Sequence, residues 1–133
     1  MPKPTKADAG LLLQFFGTLQ TDENARKAMF WLWEMPPVKS YKEFIQKYPV
    51  GSDGYKYFMT MATYYETLGV LVYYKLLHED LVFDAFALMW GKAGPVIKGM
   101  QKEFKWPKMF ANYEWLAKRA IEWDKNHPPK FKK

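Results

Sequence analysis

The side chains that most often do chemistry are scarce in this sequence. There is no cysteine, and the two serines, Ser40 and Ser52, stand where helices need N-caps. No Gly-x-Ser-x-Gly elbow and no cysteine–histidine pair is available for covalent catalysis. The two histidines, His78 and His127, are far apart, and neither has a second ligand at metal spacing, so both read as loop histidines. Gly91-Lys92-Ala93-Gly94 lacks the Gly-Lys-Ser/Thr ending of a phosphate loop. Asp80 and Asp84, four residues apart with Glu79 beside them, are a carboxylate set that could hold a hard cation. No other acid lies close to them in sequence, and Asp80 is placed to favour a helix N-terminus. The inventory predicts a protein with no catalytic residue, no metal and no cofactor, and so no enzyme.

One carboxylate stands apart. Between Tyr57 and Tyr74 the only charged residue is Glu66. A run of that length approaches a bilayer core. Its tyrosines, threonines and central carboxylate argue instead for the buried helix of a soluble bundle, with no membrane span. A carboxylate inside such a helix needs a partner. Arg26, with Phe30 and Trp33 on its own helical face, is the candidate cation. The expectation is a buried ion pair between Arg26 and Glu66 that joins two helices.

The net charge of +6 is unevenly placed. Residues 1–97 hold ten Lys/Arg and ten Asp/Glu, whereas residues 98–133 hold ten and four. Lys98, Lys102, Lys105, Lys108, Lys118 and Arg119 form the candidate basic surface. Lys98, Lys102 and Lys105 recur at helical spacing, and Trp106 stands at the corner after them. Such a surface fits phosphate contact without sequence reading, because Arg26 and Arg119 are the only arginines. It fits equally a solvated face that keeps an aromatic protein in solution.

The elements that must carry these residues read as helices throughout. The 133 residues, 49% hydrophobic and 19% aromatic, suit one domain with a real core and exclude a disordered or disulfide-built chain. An irregular lead over 1–6 precedes a helix from Ala7 to Leu19. Thr21-Asp22-Glu23-Asn24 starts a second helix, stopped by Pro36-Pro37, with an apolar stripe at Ala25, Ala28, Met29, Leu32 and Met35 and with Phe30 and Trp33 on another face, so that a helix apolar on most sides and buried is expected. Ser40-Tyr41-Lys42-Glu43 is a capping box opening a short helix. A long central helix spans about 52–77. Leu81 to Trp90 is a further helix with Val82, Phe83, Phe86 and Trp90 turned inward, broken at Gly91–Pro95, and Pro95 opens the next, which reaches Lys105. The last covers Met109 to Asn126, with Met109, Tyr113, Leu116, Ala120 and Trp123 inward. A basic tail occupies 127–133. The pattern predicts an all-α bundle of six to seven helices in a single domain over 1–133. No signal peptide is read, because Leu11-Leu12-Leu13 is too short and is broken by Gln14.

Three stretches carry a resemblance. They are Glu23-Asn24-Ala25-Arg26-Lys27 leading into Trp31-Leu32-Trp33; Tyr65-Glu66-Thr67-Leu68-Gly69-Val70-Leu71-Val72 followed by Glu79-Asp80-Leu81-Val82-Phe83-Asp84; and Tyr113-Glu114-Trp115-Leu116-Ala117. Together they resemble an uncharacterised prokaryotic all-helical family, the domain of unknown function numbered 4760, over about residues 10–123. The resemblance implies a cytosolic helical domain, which in members of the family often follows membrane helices. It carries over no activity and no catalytic residue.

The function expected from the sequence is a small cytoplasmic protein-interaction or scaffold module, with a homo-oligomer among the possible assemblies. Six tryptophans, nine tyrosines and ten phenylalanines exceed what a small core can hide, and exposed aromatics mark interfaces. The alternative is a non-specific nucleic-acid or anionic-surface binder using the basic C-terminal third.

Overall fold

Most of the hydrophobic periodicity becomes helix in the computed structural model, which describes residues 2–131. In chain order the elements are α1 Lys6–Thr21, α2 Glu23–Glu34, α3 Tyr41–Lys47, α4 Asp53–Tyr73, α5 Glu79–Ala85, α6 Trp90–Glu103 and α7 Ala111–Asn126. No strand forms among the described residues. Met1, from the lead, and Lys132 and Lys133, from the basic tail, lie outside the described residues.

Local chemistry sets the starts. Thr5 and Asp8 form a reciprocal capping box at α1. Asp22 alone separates α1 from α2, and its carboxylate accepts from the Asn24 and Ala25 N–H groups at 2.9 and 3.2 Å. Ser52 accepts from the Tyr55 N–H and opens α4. At α3 the Ser40 hydroxyl accepts from the Glu43 N–H as its spacing predicts. The return bond differs: the Glu43 carboxylate accepts from the Lys39 N–H at 2.8 Å, one residue before the cap.

The core is built around α4. Phe58, Met61, Tyr65, Leu68 and Val72 alternate at three- and four-residue steps and are all buried. They meet Ala28 and Leu32 of α2, Phe44 of α3, Val82 of α5, Val96, Ile97 and Met100 of α6, and Tyr113 and Leu116 of α7 in one continuous cluster. α4 packs most extensively on α2 and α7. It comes close to α7 at Gly69, where a Cβ would stand 2.4 Å from the Asn112 carbonyl oxygen. Only a residue without a side chain lets the two backbones come so near.

Three expectations are corrected. The break expected at Gly91–Pro95 lies earlier, over residues 86–89, and α6 continues through Pro95. Two tyrosines explain the position. The Tyr65 hydroxyl donates to the Ala87 carbonyl at 2.9 Å, and the buried Tyr113 hydroxyl donates to the Leu88 carbonyl. Non-helical backbone is tolerated here because these long-range donors satisfy two of its carbonyls. Burial pushes both hydroxyls well above the ordinary tyrosine value, so they remain protonated donors. Phe86 and Trp90, at the edges of this segment, are half-buried.

The second correction concerns α2, which is not buried all round. It buries Ala25, Ala28 and Leu32, and leaves Phe30 and Trp33 exposed. The third concerns α4, which ends at Tyr73; residues 74–77 form a closing turn with Lys75 in the left-handed region at φ +59°. The Lys75 and Leu76 N–H groups donate back to the Val72 and Leu71 carbonyls.

Candidate interaction surfaces

The expected Arg26–Glu66 pair does not form. Arg26 is exposed, and its guanidinium donates to the Gln20 carbonyl at 3.3 Å. Glu66 instead faces α7. Its Oε1 accepts from the Tyr113 backbone N–H at 2.8 Å, and its Oε2 accepts from the Asn112 side-chain amide at 2.9 Å. The physical reason lies at the α7 start. Phe110, in the cap position, is left-handed at φ 53° and offers no side-chain acceptor. The orphan N–H groups and the positive helix end therefore draw a carboxylate from α4. The sequence signal for this was indirect: a helix whose start has no capping residue of its own.

The candidate basic residues divide into two sets. Lys98 from α6 and Lys118 from α7 converge on Glu114, at 3.0 and 3.1 Å. Burial works to raise the Glu114 carboxyl, but hydrogen bonds from Lys98, Lys118 and Gln101 outweigh it and hold that carboxyl below the usual range. Arg119 grips Glu79 with two bonds of 2.8 and 2.9 Å, fixing α7 to α5. Lys125 pairs with Glu122, and Lys130 with Asp84. Lys102, Lys105 and Lys108 have no carboxylate partner among the described residues. They do not continue one helical face, because α6 stops at Glu103 and Lys105 sits in its left-handed closing turn.

The acids around α5 are dispersed onto separate partners. Asp80 accepts from the Trp123 indole N–H at 2.8 Å, Asp84 takes Lys130, and Glu79 takes Arg119. Between α5 and the end of α7 an open cleft of about 620 Å³ is lined by Asp80, Asp84, Trp123, Asp124 and His127. His127 stacks flat on Trp123, with ring centroids 4.0 Å apart. His78 has a positional role: its Nδ1 accepts from the Asp80 N–H and caps α5, and its Nε2 lies 2.6 Å from the Pro2 carbonyl. With Nδ1 accepting, Nε2 carries the proton and donates to that carbonyl.

An open surface without charge belongs to α1. From Ala9 to Thr21 the chain has no charged residue, and Leu19 is the only buried residue of the helix. Leu11, Leu12 and Phe15 lean on the core, while Leu13 is 68% and Phe16 47% exposed. α2, packed on α1, also exposes Phe30 and Trp33. Read as a stunted signal core, Leu11–Leu13 masked this outer face. The overlooked signal was the absence of charge on a helix with water on one side.

The class of protein is thereby set: an all-α helical domain in which no helix among the described residues is long and apolar enough to cross a membrane. Its family follows from sequence comparison. The chain belongs to the family described as Domain of unknown function (DUF4760), whose profile matches residues 4–120. Comparison with curated proteins and with solved structures gives no match.

Proposed function

We propose that this domain is a non-catalytic protein-interaction module whose docking face is the outer side of α1, extended by α2. One observation carries the reading: α1 exposes Leu13 and Phe16 along a stretch of thirteen residues without a charge. A helix facing water places charged residues on its outer side. An uncharged outer side with Leu13 and Phe16 exposed gains free energy when a protein surface covers those side chains. The partner is a protein, and a second copy of this chain satisfies the same chemistry.

Leu13→Lys with Phe16→Lys tests the face. Both side chains are exposed, so the melting temperature stays close to the parent's. In lysates of cells expressing the chain natively, the parent elutes at the mass of a complex and the double variant at that of a monomer. Equal elution of the two would contradict the proposal.

A further inference from the structure

Ion pairing divides the basic residues of the C-terminal third into a held set and a free one. Five of the basic residues between 98 and 130 are held by Glu114, Glu79, Glu122 and Asp84, which leaves Lys102, Lys105 and Lys108 free among the described residues. The three lie within seven positions, and Glu103 is the only acid among them. The same seven positions expose two aromatic side chains, Phe104 and Trp106, the latter 55% open to water. The Phe104 ring leans edge-on against Tyr41 at 6.0 Å, which props it at the corner.

The backbone at this corner is built at a cost. The Trp106 N–H donates to the Gln101 carbonyl and the Lys105 N–H to the Lys102 carbonyl, a helix closure that requires a left-handed residue. That residue is normally glycine, yet Lys105 occupies it at φ 50°. Folding alone favours glycine here, so the lysine side chain is held against local preference.

We propose that residues 102–108 form a docking corner for an anionic phospholipid surface. Lysines extend their stems along apolar material while keeping the ammonium in the headgroup layer. Tryptophan and phenylalanine beside them suit the boundary between headgroups and acyl chains. Each lysine near an anionic leaflet adds attraction, and the set acts additively. A single-stranded nucleic acid is the weaker fit, because it needs a cationic groove that tracks a backbone. The α6–α7 corner is a helix-closing turn with residues 102–108 all exposed, and the cleft near α5 is lined by Asp80, Asp84 and Asp124.

The test is co-sedimentation of the full chain with phosphatidylcholine vesicles, pure or containing about 30% phosphatidylserine. The chain binds the anionic vesicles and not the neutral ones. Changing Lys102, Lys105 and Lys108 together to Gln weakens binding on the order of 100-fold. Changing Lys3, Lys6 and Lys27 to Gln removes the same charge elsewhere and leaves binding within about 3-fold. Lys105→Gly is the sharpest variant: its melting temperature rises, because the left-handed strain is relieved, while vesicle binding falls about 5-fold. Absence of binding to anionic vesicles, equal losses for the two triple variants, or unchanged binding of the corner triple would each overturn the proposal. So would tighter binding to oligothymidylate than to vesicles, with the corner triple abolishing it.

Discussion

Glu66 shows how one side chain can be placed correctly and partnered wrongly. The cost of an isolated carboxylate in an apolar helix predicts a partner, and there is one: the α7 N-terminus in place of Arg26. Glu66→Ala orphans the Tyr113 N–H and should cost about 1–3 kcal/mol in urea denaturation. Arg26→Met should change stability by less than about 0.5 kcal/mol, because Arg26 is exposed and bonds only a nearby carbonyl. A larger loss in the Arg26 variant than in the Glu66 variant would contradict the assignment. Acid sensitivity also resides at single residues. The Asp8 carboxyl is held low, first by the Thr5 backbone N–H and then by its hydroxyl, and the Glu114 carboxyl is held low by its lysines and Gln101. A carboxyl lowered by folding stabilises above its unfolded value, and that stabilisation fades as pH falls through the folded one. The melting temperature should therefore be level near neutrality and decline below about pH 4, with a smaller decline in Glu114→Gln.

At the scale of helices, close packing and free surface make opposite predictions for the same substitution. Gly69→Ala in α4 drives a Cβ into the Asn112 backbone, which cannot rotate away. The clash outweighs the gain in helix propensity, and a net loss of about 1–3 kcal/mol is expected from thermal or urea unfolding. Gly17→Ala in α1 meets no atom within 4 Å and should stabilise by about 0.5–1 kcal/mol. A loss at Gly17, or a gain at Gly69, would contradict the packing described. The helices themselves were legible because caps and period are local: Thr5, Asp22, Ser40 and Ser52 announce their helices within three residues. The break at residues 86–89 was not legible, because the groups that allow it, Tyr65 and Tyr113, lie 22 and 25 positions from the carbonyls they satisfy. Local glycine content pointed to Gly91–Gly94, where the helix in fact continues. α2 was misjudged for a related reason. Its period is right, but which of two apolar faces is covered depends on neighbours that arrive later in the chain.

For the whole molecule, the surface matters more than the core. The core accounts for the fold, while the surface divides into regions of different character: basic side chains paired along α6 and α7, a corner where three lysines without a carboxylate partner among the described residues stand beside exposed Phe104 and Trp106, and an uncharged face on α1 that exposes Leu13 and Phe16. Composition foretold that aromatic residues would be exposed, and it foretold the basic third. It could not tell which lysines Glu114 and Glu79 would neutralise, since those pairs close between helices. Nor could it tell that Phe30, Trp33, Leu13 and Phe16 would be among the residues left outside. The measurement that bears most directly on the interaction role is site-specific photo-crosslinking in cells that express the chain natively. A crosslinking residue at Phe16 should give one discrete adduct of higher mass, with a second copy or another protein. The same residue at Glu122, exposed on α7, should give none. A protein that yields no adduct at Phe16, or equal smears at both positions, would contradict the account of α1 as the docking face.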